Sequence, residues 1–132
     1  MESVFSVRKN KERAKSLLKA AETRLQEMNK IRKLVSKERI VEIYYDSAKE
    51  VIIAIMYMDG FKTTSHVEMI NYLREKYPEI GQVRIALLDE LRQKRNAISY
   101  YGESIGESFL AQKEEEIKDA IEEIKKKAKS KL

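Results

Sequence analysis

The sequence predicts an all-α protein, an up-and-down antiparallel bundle of four to five helices. Two observations support this prediction. The single proline and the four glycines fall between segments whose apolar residues recur at three- and four-residue steps, the spacing of one helix face. The connections between these segments are short, which favours antiparallel neighbours. Because no internal repeat or low-complexity linker is evident, residues 1–132 are predicted to form one domain.

The first two helices are predicted over about residues 9–34 and 36–59. The apolar stripe of the first consists of Ala14, Leu17, Leu18, Ala21, Leu25 and Met28. Ser36 is placed to cap the second helix, and Asp59-Gly60 ends it. Its segment 51–58 is apolar all round and, taken alone, also fits a buried strand. Continuity with the helical pattern before it favours a helix that is buried on most sides.

Three further helices follow. Ser65 and Glu68 form a capping box, in which each side chain satisfies the other residue's backbone donor, at the start of the third helix. Pro78 ends that helix. The fourth is predicted from just after Gly81 to about residue 100. The fifth is predicted over about residues 107–129.

Composition limits the classes of function. Charged residues make up 37% of the chain, yet the net charge is only +5. Positively and negatively charged residues are interleaved along the sequence, which is typical of solvated helix faces. Such a balance permits contact with nucleic acid without requiring it. The lysine-rich segment 125–131 is interpreted as a frayed, solvated helix end, with a nucleic-acid contact as the alternative.

The absence of cysteine excludes disulfides, thiolate metal sites and cysteine nucleophiles. The longest apolar run, residues 51–58, is far below the roughly 20 residues that span a bilayer, and the N-terminus is too polar for a secretory signal. We therefore expect a cytoplasmic protein that makes no membrane contact. No carboxylates cluster at ligand spacing, so no metal site is predicted, and no glycine-rich phosphate loop appears.

The best functional clue is the polar stretch near the end of the fourth helix. Arg92 and Arg95 are three residues apart and share a face, Asn96 lies beside Arg95, and two tyrosines follow. The candidate ligand-binding residues are Arg92, Arg95, Asn96, Tyr100 and Tyr101. Guanidinium groups bind phosphate through a planar fork of donors, and tyrosines stack on bases, so the group suits a phosphodiester or a nucleotide. The alternative is a solvated helix end whose tyrosines pack against the bundle.

Two other sets of residues have both a functional and a structural interpretation. His66, the single histidine, is either a base that folding brings near Arg95 or a residue that helps to close the start of the third helix. The second interpretation is preferred, because no acid–base partner is near it in the sequence. The second set fits either a ligand-binding box or the core, and helical spacing favours the core. Its members are Tyr44, Tyr45, Met56, Tyr57 and Met58.

Segments 44–56, 59–73 and 91–101, in this order over an all-helical chain, make the sequence resemble the HEPN domains (higher eukaryotes and prokaryotes nucleotide-binding). The resemblance implies a helical bundle that pairs into a homodimer and uses no cofactor. Many members are metal-independent ribonucleases, often toxins encoded beside a small nucleotidyltransferase partner. Their motif is an arginine, a polar residue and then a histidine a few residues on, and two copies meet at the dimer interface.

Arg95 and Asn96 match the first half of that motif, but Tyr100, Tyr101 and Gly102 occupy the positions where its histidine would stand. Histidine, with a pKa of about 6.5, exchanges protons at neutral pH, whereas tyrosine, at about 10, is mostly a fixed donor. The resemblance therefore favours a nucleotide- or RNA-binding or regulatory protein. One alternative is an atypical ribonuclease with Arg95, Asn96 and Tyr100 as its catalytic residues. The other is a purely structural helical interaction module.

Overall fold

The chain folds as an all-α bundle of five helices with one small two-stranded sheet, as a computed structural model of residues 3–132 describes it. This confirms the predicted fold class. The elements are β1 (Val4–Ser6), α1 (Lys11–Ile31), α2 (Lys37–Asp59), β2 (Phe61–Thr63), α3 (His66–Lys76), a 3-10 turn (Pro78–Ile80), α4 (Gln82–Tyr101) and α5 (Gly106–Ser130).

Hydrogen bonds at the helix ends define the helix directions. The amide of Asn10, just before α1, donates to the carbonyl of Tyr57 near the end of α2 at 3.0 Å, so α1 and α2 are antiparallel. The hydroxyl of Ser99 at the end of α4 donates to Glu42 near the start of α2 at 2.7 Å, so α4 also runs against α2. The Gly106 amide at the start of α5 donates to Glu38 at the start of α2 at 2.7 Å, so α5 runs in the same direction as α2. With the shorter α3 set aside, α1, α2, α4 and α5 therefore alternate in direction, as an up-and-down bundle requires.

Helix α2 lies at the centre of the bundle, and most of its residues are buried. Its segment 51–58 is continuous helix, which confirms the preference for a helix over a strand. Of the five residues assigned to the core rather than to a ligand-binding box, four are buried and Tyr57 is half-buried. A central helix loses most of its water-accessible apolar surface on folding, which is the main favourable contribution to such a bundle.

The two-stranded ribbon was not predicted. Strands β1 and β2 pair antiparallel, with Val4 opposite Thr63 and Ser6 opposite Phe61. Each strand has only three residues, too few to show an alternating pattern, and α1 and α2 separate the two in the chain. Gly60 precedes β2 with a φ of 89°, a left-handed conformation that favours glycine.

The capping box at the start of α3 is only half formed. The Ser65 hydroxyl accepts the Glu68 amide at 3.2 Å, as predicted. The reciprocal bond is not made, because the Ser65 amide donates to the Thr63 hydroxyl at 3.0 Å. The Glu68 carboxylate instead accepts the side-chain amide of Asn71 at 3.2 Å.

The end of α5 is fastened to the bundle, so the prediction of a frayed, solvated end is wrong. Three lysines of this segment form ion pairs with other elements. They are Lys127 with Glu79 at 2.8 Å, Lys129 with Glu22 at 3.2 Å, and Lys131 with Asp59 at 2.7 Å. These partners lie far away in the sequence, so the helix pattern alone gave no sign of them.

Candidate functional site

The end of α4 meets the first half of α2 and the first residue of α3. There Arg95 of α4 lies between two tyrosine rings. Its Cζ atom is 5.6 Å from the ring centroid of Tyr45 and 5.8 Å from that of Tyr100. One guanidinium nitrogen also makes long contacts, each of 3.4 Å, with the Asn96 side-chain oxygen and the Tyr100 hydroxyl. We call Tyr45, His66, Arg95, Asn96 and Tyr100 the Arg95 cluster.

The two candidate arginines differ in how far their donors are already used. Within residues 3–132, no carboxylate forms an ion pair with Arg95, and its hydrogen bonds at 3.4 Å are weak. Arg92, by contrast, holds its Nε 2.9 Å from an oxygen of Asp89, and its side chain is only 15% exposed. Arg95 is therefore the guanidinium with donors to offer a ligand, while Arg92 adds positive charge beside it.

His66 contacts the same tyrosine as Arg95. The Tyr45 hydroxyl lies 2.8 Å from His66 Nδ1, and the two ring centroids are 5.6 Å apart at 35°. Tyr45 itself is almost fully buried, and its ring contacts both the imidazole and the guanidinium. The interpretation of His66 as only a residue at the helix start is incomplete, because its side chain joins the cluster.

Burial and charge set the protonation of this pair. Burial raises the pKa of Tyr45 to about 12, although Arg95 and Arg92 act in the opposite direction, so the phenol keeps its proton at neutral pH. Burial, followed by the positive charges of Lys49, Arg95 and Arg92, lowers the pKa of His66 below its ordinary value. The neutral imidazole is therefore favoured at pH 7 more strongly than in a free histidine.

The turn before α3 fixes the position of His66. The Thr63 hydroxyl accepts the Ser65 amide at 3.0 Å and donates to the Ser3 carbonyl at 2.8 Å, which ties this turn to the ribbon. His66 then begins α3, with Ser65 as its N-cap. Sequence reasoning assigned Tyr45 to the core and missed its role here, because the contact spans three helices and no local spacing indicates it.

The two tyrosines that end α4 are both exposed but differ in position. Tyr100 is 68% exposed and contacts Arg95. Tyr101 is 78% exposed and makes no side-chain hydrogen bond or ring contact with the described residues. The structure thus brings Arg95, Asn96 and Tyr100 together, places Arg92 beside them in an ion pair, and leaves Tyr101 apart.

This arrangement suits the binding of an anion that carries a flat group. A guanidinium with uncommitted donors takes phosphate oxygens, and an exposed tyrosine beside it offers a surface on which a base can stack. Among the described residues, no group of three or more His, Cys, Asp or Glu side chains is placed to hold a metal ion.

No family model, curated protein or solved structure matches this chain. The resemblance to the HEPN domains therefore stays a prediction. None of the helices in residues 3–132 is both long and apolar enough to cross a membrane.

Proposed function

We propose that this chain is a HEPN-like helical protein that binds the phosphodiester groups of RNA or a nucleotide at the Arg95 cluster. One observation carries the proposal. The Arg95 guanidinium is held between two tyrosine rings, and no carboxylate within residues 3–132 neutralises it. Cations over aromatic faces gain about 0.5–2 kcal/mol, so the rings position the guanidinium without using its in-plane donors.

The surroundings favour an anion. Two other cations lie near the cluster, but each has a carboxylate partner: Arg92 with Asp89 at 2.9 Å and Lys49 with Asp46 at 3.9 Å. Of these three cations, only Arg95 has no carboxylate partner among residues 3–132, so its positive charge is available to a ligand. Because Tyr100 is largely exposed at the rim, it can stack on a base without unpacking the bundle.

Binding is favoured over catalysis by the protonation of the cluster. Tyr45 keeps its proton at neutral pH, and the lowered pKa of His66 makes its imidazole a weaker base than that of a free histidine, so neither is a strong base. The alternative, a metal-independent ribonuclease using Arg95, Asn96 and Tyr100 across a homodimer interface, draws support from one contact. His66 shares the Tyr45 ring with Arg95 and so supplies an imidazole that the motif positions lack.

The resemblance extends the proposal to partners and location. We propose a homodimer, a nucleotidyltransferase as a second partner, and a cytoplasmic setting. The exposed ring of Tyr101, which makes no side-chain hydrogen bond or ring contact with the described residues, is a candidate contact residue for such a partner. Mass measured in solution tests the dimer, and co-purification with a candidate nucleotidyltransferase tests the partner.

The test of binding is the affinity for a fluorescently labelled single-stranded oligouridylate, measured by anisotropy with wild type and Arg95→Ala. We expect the substitution to weaken binding about ten-fold or more, the effect of losing a charge-assisted hydrogen bond. Arg84→Ala is the matched control. It removes another α4 arginine, which pairs with Asp119 at 2.8 Å, and should leave the affinity nearly unchanged.

Each other outcome has a defined meaning. An equal loss in both variants would show binding by general positive charge and contradict the assignment to the Arg95 cluster. No binding by wild type would favour a purely structural interaction module. Cleavage of the oligonucleotide by wild type but not by Arg95→Ala, at any pH tried, would replace the binding proposal with the ribonuclease.

A further inference from the structure

Arg95 and His66 both contact the buried side chain of Tyr45. The guanidinium lies over the Tyr45 ring, and the imidazole is hydrogen-bonded to the hydroxyl of that ring at 2.8 Å. Tyr45 is only 3% exposed, so its ring is held in place by the core. The charge of Arg95 already reaches His66, because it is one of the causes that hold the pKa of His66 down. An anion bound to Arg95 therefore acts on His66 as well.

Charged groups face His66 from both helices that flank it. They are Asp46 and Lys49 of α2, and Arg92 and Arg95 of α4. On α3 itself, the carboxylate of Glu68 is engaged with Asn71 at 3.2 Å. Lys49 and Arg92 have carboxylate partners, whereas Arg95 has none within the described residues. The positive charge of Arg95 thus disfavours protonation of His66 by electrostatic repulsion, and a bound anion would offset this repulsion.

The hydrogen bond between Tyr45 and His66 can form in both protonation states of the imidazole. A neutral imidazole with an unprotonated Nδ1 accepts the phenol hydrogen. A protonated imidazole donates from Nδ1 to the phenol oxygen, and the phenol hydrogen then turns to another acceptor. Because this bond is available in both states, burial and the charges around His66 decide its pKa, and of these two an anion bound at Arg95 changes the balance of charge.

We infer that His66 is the residue of the Arg95 cluster whose protonation is linked to ligand binding. When a phosphodiester binds at Arg95, the His66 imidazole takes up a proton, so the phosphodiester binds more tightly as the pH falls. The inference rests on the proposed function, since it needs a ligand at Arg95. By linkage, a ligand that favours protonation must bind better to the protonated protein.

The test measures the affinity for the same oligouridylate between about pH 7.5 and about pH 5.5, a range in which only histidine among unperturbed side chains changes charge. The phosphodiester and uracil groups of this probe also keep their charge across the range. Wild type should bind about three- to ten-fold more tightly at the lower pH. His66→Asn, which keeps a polar atom near the position of Nδ1 but does not titrate, should bind with nearly constant affinity.

A second measurement detects the protonation of the His66 imidazole directly. Since His66 is the single histidine, its imidazole resonance in a proton NMR titration is unambiguous. We expect its pKa below about 6.5 in the free protein and higher when the oligouridylate is bound. Lys19→Ala, which removes an exposed cation of α1, should leave this shift intact. Arg95→Ala should raise the pKa of the free protein and abolish the response to the oligonucleotide.

The outcomes separate this inference from the proposed function. Failure of wild type to bind the probe at any pH overturns both. Binding that depends on Arg95 but not on pH overturns only the role of His66. A pH dependence that persists in His66→Asn also overturns that role, since another group would then take up the proton.

Discussion

The ammonium of Lys131 lies 2.7 Å from the carboxylate of Asp59, so the residue after α5 is fastened to the last residue of α2. The same carboxylate accepts the hydroxyls of Tyr72 and Tyr77, each at 2.6 Å. Burial alone would raise the pKa of Asp59, but the hydrogen bonds from Lys131, Tyr72 and Tyr77 outweigh it and hold the pKa below its ordinary value.

Asp59→Asn is expected to lower the free energy of unfolding by about 1–3 kcal/mol at pH 7, because it removes the charge that three buried or half-buried donors share. Urea unfolding followed by circular dichroism measures this. Asp119→Asn is the control, since its pair with Arg84 is exposed and should matter far less. An equal loss in both variants would contradict the importance of the Asp59 contacts.

The same carboxylate makes stability depend on pH. The folded state holds the pKa of Asp59 below its value in the unfolded chain, so its contribution is complete above about pH 5 and is lost as the pH falls through the folded-state pKa. Wild type should therefore lose stability between about pH 5 and about pH 3. The loss should be smaller in Asp59→Asn. A wild-type urea midpoint that stays constant on acidification would oppose this account.

Glu114 connects three helices and gives a third prediction. It pairs with Arg32 at the end of α1 and accepts the hydroxyl of Tyr44 from α2 at 2.5 Å. Tyr44→Phe should cost about 1 kcal/mol, since the Arg32 pair remains. Glu114→Ala should cost about 2–3 kcal/mol, because it leaves a buried hydroxyl and a half-buried guanidinium without their partner.

A double-mutant cycle separates these two contributions. If the Tyr44 hydroxyl acts through Glu114, removing it from the Glu114→Ala protein should be nearly neutral. Unfolding free energies of the wild type, both single variants and the double variant provide the measurement. Strictly additive losses would mean that the two side chains stabilise the bundle independently.

Local sequence patterns predicted the helices but not the tertiary contacts between distant segments. The helical spacing of α1 and the N-caps at Ser36 and Ser65 were readable, because each depends on residues only a few positions apart. The β1–β2 ribbon and the Lys131–Asp59 pair join distant segments and left no local sign. Prediction therefore succeeded where the deciding interaction lies within one helix.

The same distinction applies to the residues of the candidate site. Arg95 and Asn96 are neighbours in one helix and could be chosen from residue type and spacing. The neutralisation of Arg92 by Asp89, one helical turn earlier, was also within reach of local reasoning, because pairs three residues apart meet on a helix. The approach of Tyr45 and His66 depends on how α2, α3 and α4 pack, and no single-helix pattern contains it.

The close contact between the start of α5 and the start of α2 gives a fourth prediction, which concerns steric fit. Gly106 lies so close to the start of α2 that a Cβ atom would stand 2.6 Å from the Glu38 amide nitrogen. Its own amide donates to the Glu38 carboxylate at 2.7 Å, which caps α5 from a neighbouring helix. Gly106→Ala should therefore destabilise by about 1–3 kcal/mol, as overpacking against backbone does.

Gly102→Ala is the matched control for that variant. Gly102 has a φ of 65°, but no atom of the described residues lies within 4 Å of an added Cβ. Its substitution should cost about 1 kcal/mol, the penalty of the left-handed conformation alone. Thermal unfolding of both variants ranks them, and a Gly102→Ala loss as large as that of Gly106→Ala would argue against the close approach of α2 and α5.

Ser47 gives the fifth prediction. Its hydroxyl is fully buried in α2 and, alone among the buried side-chain oxygens and nitrogens of residues 3–132, has no hydrogen-bond partner. Such a group loses its bonds to water on folding and regains none, a cost of about 1–3 kcal/mol. Ser47→Ala removes that cost and favours the helix, so it should raise the free energy of unfolding by roughly 0.5–1.5 kcal/mol. Chemical denaturation at neutral pH is the measurement. A destabilised Ser47→Ala protein would show that the hydroxyl makes a favourable contact after all, with a backbone carbonyl of the preceding helical turn as the first group to examine.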